Sequence, residues 1–132
     1  MKNEPLFLSH EQVLRIHARS IEEFGGLEGV RDHGLLSSAL SMPQAKFGGQ
    51  YLHSGISAMA AGYLFHLCKN HPFVDGNKRT ALATAELFLL VNGYRLKTND
   101  AETERITVSV ADGTLSKEEL TKIFKKNVKL DR

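Results

Sequence analysis

The sequence is poor in the features that most quickly assign a chain. It has one cysteine, Cys68, so an intrachain disulfide framework is excluded and a reducing compartment fits. Its net charge of +2 is too small to imply non-specific binding to nucleic acid, and no basic run is interleaved with aromatics. The longest unbroken apolar run, Leu87 to Val91, is far short of the roughly 20 residues a bilayer-spanning helix needs. The N-terminus alternates charged and apolar residues without a signal-peptide core, which leads us to expect a cytoplasmic protein with no membrane contact. No linker, repeat or low-complexity segment divides the chain, so residues 1–132 read as one domain. With 42% hydrophobic and 24% charged residues it resembles an ordinary globular protein able to bury a core.

What is present is helical periodicity. Ser9-His10-Glu11-Gln12 is a capping box that opens a helix with Val13, Leu14, His17, Ile21 and Phe24 on one face, and Gly25-Gly26 should stop it. His10 and His17 read as surface or boundary residues of that helix. Asp32 should cap a second, short helix ending near Pro43. Residues 44–54 show no helical period and read as a connection with a flexible Gly48-Gly49 tip flanked by Phe47 and Tyr51. Ile56, Met59, Ala60, Tyr63, Leu64, Leu67 and Cys68 mark a third helix. The fourth, from Gly76 to Asn92, is apolar around most of its circumference and is expected at the centre of the bundle. Tyr94 to Lys97 forms a brief extended connection. Asp100 should cap a fifth helix and the Ser116–Glu119 box a sixth, which runs through Leu120, Ile123, Phe124 and Val128. The fold class is therefore all-α, a compact bundle of about six helices.

Between the third and fourth helices lies His71-Pro72-Phe73-Val74-Asp75-Gly76-Asn77-Lys78-Arg79-Thr80. Asp75 reads as the N-cap of the fourth helix, and Lys78 and Arg79 fall in its first turn. Cations are disfavoured there, because the helix N-terminus already carries partial positive charge. The anomaly disappears if a phosphate docks on the free amides, Gly76 lets the backbone approach it, and both cations point at it. Asp75 supplies an oxygen ligand of the kind Mg²⁺ shares with substrate phosphates. His71 is the side chain in the stretch suited to taking a proton near neutral pH. The order of residues is not that of a Walker A loop. A zinc site from His66, Cys68 and His71 is rejected, since residues two apart face away from each other on a helix and a fourth ligand is missing. Phe73 reads as a core anchor that fixes the loop.

The run His71-Pro-Phe-x-Asp75-Gly-Asn77-Lys78-Arg79 resembles the signature of the Fic/Doc superfamily, with Lys78 nearer the Doc branch. Phe24-Gly25-Gly26-Leu27-x-Gly29, Asp32-x-Gly34 and the helix ending Asn92-Gly93 resemble it too, so the likeness covers nearly the whole chain as a single Fic/Doc domain. It implies that His71 is the general base on a protein hydroxyl and that Asp75 holds Mg²⁺. The loop amides at Gly76, with Asn77, Lys78 and Arg79, would bind the phosphates of ATP. The region around Phe47, Gly48, Gly49 and Tyr51 would be the flap that holds the target segment.

A Doc-like protein of this kind phosphorylates a threonine of elongation factor Tu, halts translation and is neutralised by a partner antitoxin. Gly76 and Pro72 are Fic-like departures that keep AMP transfer open as an alternative. A non-catalytic nucleotide- or partner-binding module is the reading from another class. Self-restrained Fic proteins resemble one another in a Ser/Thr-x-x-x-Glu-Gly/Asn segment; only Glu28 is followed by Gly or Asn here, and Phe24 stands where Ser or Thr is needed. Inhibition by a separate antitoxin segment that folds on binding is therefore expected.

Overall fold

The computed structural model describes residues 4–131, so the first three residues of the N-terminal charge pattern lie outside it. Four of its six helices open on a side chain that satisfies an orphan amide. Helix α1 (His10–Phe24) carries the expected box, with Gln12 N–H donating to Ser9 Oγ at 3.2 Å and Ser9 N–H donating to Gln12 Oε1 at 2.8 Å. Asp32 caps α2 (His33–Ser41) through the Leu35 amide. Helix α5 (Asp100–Ala111) is capped by Asn99 rather than by Asp100, which is its first helical residue. Helix α6 (Lys117–Asn127) has the Ser116–Glu119 box.

Helix α3 (Ile56–Asn70) occupies the centre, a place the periodicity gave to α4 (Asn77–Val91). The physical reason lies in side-chain size. Ala58, Ala60, Ala61 and Gly62 leave α3 thin enough for α2, α4, α5 and α6 all to approach it. Met59, Tyr63, Leu64, Leu67 and Cys68 bury beside them. Helix α4 instead buries one stripe, Asn77, Thr80, Ala81, Thr84, Ala85, Phe88 and Leu89, against α3 and α1. Leu90 and Val91, which made it look apolar all round, face solvent. The bundle is thus centred on the helix that ends at the motif, not the one that begins there.

Two short hairpins complete the fold. A 3₁₀ turn (Met42–Gln44) follows α2, and within residues 44–54, expected to be irregular, strands β1 (Lys46–Phe47) and β2 (Gln50–Tyr51) pair antiparallel about a Gly48-Gly49 turn. Strand β3 (Tyr94–Leu96) pairs with β4 (Val128–Leu130), so Val128 leaves the helix assigned to it and enters a ladder. The N-terminal segment is laced to the end of α4, where Leu6 and Asn92 exchange hydrogen bonds of 2.8 and 3.1 Å. No helix among the described residues is long and apolar enough to cross a membrane.

Candidate active site

The motif forms the turn between α3 and α4, and the α1–α2 connection is stitched along it. Arg31 and Asp32 N–H both donate to Pro72 O, at 2.7 and 3.0 Å, and Val74 N–H donates to Gly29 O at 3.0 Å. Phe73, fully buried, is the core anchor that the sequence implied. A second residue that sequence reasoning assigned to a helix boundary holds the same loop. His17 is 5% exposed, its ring stacks on Phe73 with centroids 3.9 Å apart, and its Nε2 donates to Asp75 O at 2.8 Å. A lone histidine in an amphipathic helix carries no sequence signal for this contact.

His71 ends α3 as its C-cap with φ 49° and ψ 55°, the only non-glycine residue with positive φ among those described. It is exposed at the rim of the turn. Asp75 is exposed too, but it does not cap α4. Its carboxylate accepts from Leu27 N–H at 3.1 Å and Gly76 N–H at 2.9 Å. The Leu27 amide, then the Gly76 amide, and more weakly the charges of Arg79 and His17 hold this carboxyl below the usual carboxylate range. Gly26 makes the arrangement possible, because a Cβ there would lie 2.8 Å from Asp75 Oδ2. The Gly-rich connection therefore belongs to the site.

Helix α4 begins at Gly76, in the left-handed conformation (φ 73°), and no side chain caps it. The amides at the start of a helix lack intrahelical acceptors, no side chain caps them here, and Lys78 and Arg79 in the same turn are exposed. Gly76 earns its place differently from the expected close approach to a ligand. A Cβ at this position would meet Ile21 Cδ1 at 3.2 Å, on the protein side, and positive φ disfavours any other residue. Arg79 rests over the half-exposed ring of Phe24, 4.3 Å from its centroid.

Asn77 departs from expectation. It is buried, its Oδ1 accepts from Phe73 N–H and its Nδ2 donates to Phe73 O, both at 2.9 Å. The side chain is therefore spent closing the loop. Phe47, at 82% exposure, and the glycine tip stand in solvent. Tyr51 leans on Phe7 and donates to Glu4 at 2.7 Å. No hydrogen bond or ring contact among the described residues joins this hairpin to the motif.

An exposed imidazole, a carboxylate, an uncapped helix terminus and two cations thus share one turn, with buried hydrogen bonds between Asn77 and Phe73 behind it. Residues 7–89 match the Fic/DOC family. The chain is 47% identical over 90 residues to the protein named Toxin Doc of Mycolicibacterium smegmatis, covering 68% of this chain and 67% of that one. It is 33% identical over 109 residues to the protein named Protein kinase doc of Escherichia phage P1, covering 83% and 85%. Since the match takes in α1, the Gly-rich connection, the motif and most of α4, this chain belongs to the Fic/Doc family.

Proposed function

We propose that this chain is a Doc-like toxin that transfers the γ-phosphoryl group of ATP to a protein hydroxyl. The observation that carries the reading is the start of α4, where no side chain caps the first turn, Lys78 and Arg79 stand in it without an acid, and the one neighbouring carboxylate, Asp75, is held by the Leu27 and Gly76 amides. A triphosphate tail supplies the missing negative charge. His71 takes the proton of the attacking hydroxyl, whose oxygen bonds to the γ-phosphorus as the bond to the leaving ADP breaks. Lys78, Arg79 and the amides stabilise charge on the transferring group, and positioning and electrostatics carry most of such a reaction.

Asp75 fits Mg²⁺. Its carboxylate is exposed, kept ionised and oriented by two amides, and no three-ligand cluster surrounds it among the described residues. A site with one carboxylate suits an ion that completes its shell with water and phosphate oxygens. When bound, Mg²⁺ would neutralise phosphate charge.

The relative from phage P1 is named a protein kinase, and the one from Mycolicibacterium smegmatis a toxin. Both names support this reading over a non-catalytic module. We take the target to be a threonine of elongation factor Tu in the cytoplasm, and the inhibitor to be an antitoxin segment that folds on binding. Incubation with translation extract and ATP labelled at the α or the γ position tests the reaction. Label from the γ position alone is expected; label from the α position alone would install AMP transfer instead.

A further inference from the structure

Three consecutive carbonyls around the end of α3 are gripped by one residue. Arg31 Nε donates to His71 O at 2.7 Å, Arg31 Nη2 donates to Asn70 O at 3.0 Å, and Arg31 N–H donates to Pro72 O at 2.7 Å. Asn70 is pinned in turn, since its Nδ2 donates to Leu35 O at 2.9 Å. Between these holds sits His71 in a left-handed conformation that glycine adopts freely and a side chain does not. A helix that ends this way usually uses glycine for the turn. Here the turn residue must carry an imidazole, and the guanidinium supplies the restraint that sequence preference withholds.

We propose that Arg31 is a positioning residue for His71, fixing the backbone from which the imidazole is presented to the substrate hydroxyl. The inference rests on the phosphotransfer reading for its catalytic consequence, but its structural half stands apart from it. Arg31 reaches the two neighbouring carbonyls with separate nitrogens of one rigid plane, a fixed geometry that the single rotatable nitrogen of an ammonium does not reproduce. Arg31 also lies at the negative end of the α3 dipole, where a cation is favoured. Lysine would keep that charge and lose the fork.

Arg31→Ala and Arg31→Lys test the proposal in the full chain. Both should lower kcat by about ten- to hundredfold, the scale of misplacing a reacting group by a fraction of an ångström to an ångström, and leave KM for ATP within about twofold. Added guanidinium should restore part of the rate of Arg31→Ala saturably, and added ammonium should not. In NMR spectra of either variant, the His71 ¹³Cα shift should leave its left-handed value while the shifts of core residues stay put. A rate in Arg31→Lys equal to wild type, a kcat loss matched by the KM for ATP, or failure of guanidinium to rescue would overturn the proposal. So would an unmoved His71 ¹³Cα. Wild-type protein that transfers no label overturns the phosphotransfer reading instead, and the NMR measurement then decides the positioning claim alone.

Discussion

His17 and Asp75, on α1 and in the motif turn, are joined by a 2.8 Å hydrogen bond from the imidazole Nε2 to the Asp75 carbonyl. The acceptor is the backbone, so the contact sets where the Asp75 carboxylate sits without consuming it. With the ring stacked flat on Phe73, one side chain holds the loop by shape and by polarity together. His17→Phe keeps the stack and leaves the carbonyl without its donor. We expect a loss of about 1–3 kcal/mol, read from denaturant midpoints, and a higher Mg²⁺ requirement for activity. An unchanged midpoint would show that solvent satisfies the carbonyl equally well.

Gly26→Ala puts a Cβ against the Asp75 carboxylate and asks alanine to adopt φ +120°. The carboxylate must move or the connection must shift, at a cost on the order of 1–3 kcal/mol. Activity at low Mg²⁺ should fall more than the melting temperature suggests, and saturating Mg²⁺ should recover part of it. Equal losses at all Mg²⁺ concentrations would place the damage elsewhere.

Asn77 distinguishes a structural role from a phosphate-binding one. Because its amide closes both hydrogen bonds with Phe73, Asn77→Ala strands a buried N–H and C=O and should cost about 2–4 kcal/mol. Asn77→Asp keeps the acceptor for Phe73 N–H but sets a buried carboxylate oxygen against Phe73 O, so it should cost at least as much. Were its side chain a phosphate ligand, KM for ATP would rise while thermal stability held.

A pH-dependent contribution to stability comes from His66, on α3 five residues before His71. Burial first, and then the charges of Lys117 and His53, push the His66 imidazole down from 6.5 to about 4. Its Nε2 is buried without a partner. As pH falls from about 6.5 toward about 4, the unfolded chain takes up a proton that folded His66 refuses, so stability is full near neutrality and lost across that window. The ring is only partly buried, so solvent screening holds the effect to on the order of 1 kcal/mol. His53 is shifted in the same direction by burial and Lys117. Melting temperatures measured from pH 7.5 to 4 should drop less steeply in His66→Phe than in wild type; parallel curves would remove His66 as the cause.

The capping boxes at Ser9 and Ser116, the Asp32 cap and the core role of Phe73 were legible in the sequence because each depends on residues a few positions apart, whereas the caps expected at Asp75 and Asp100 fell to Gly76 and Asn99. The motif was legible for the same reason. His17, Gly26 and Arg31 were not, since each acts on a partner 40 or more positions away, and nothing local distinguishes a histidine that reaches Asp75 from one that faces water. The inward turn of Asn77 was not legible either: its neighbours Lys78 and Arg79 are exposed, while its own amide closes on Phe73. Asp75 satisfied the chemistry of a cap, yet the glycine after it took that position and freed the carboxylate. The centre of the bundle went to α3 because small side chains, rather than hydrophobic ones, decide how many neighbours a helix admits.

The lacing at the far end of α4 has a practical side. Leu6 binds Asn92, and Asp131 N–H donates to Gly93 O, so Leu6 and Asp131 meet one helix length from the motif turn. At 15 residues, α4 holds them roughly 20 Å away. A dye or surface tether at position 131 would then report on the protein, or immobilise it, at a distance from the motif turn.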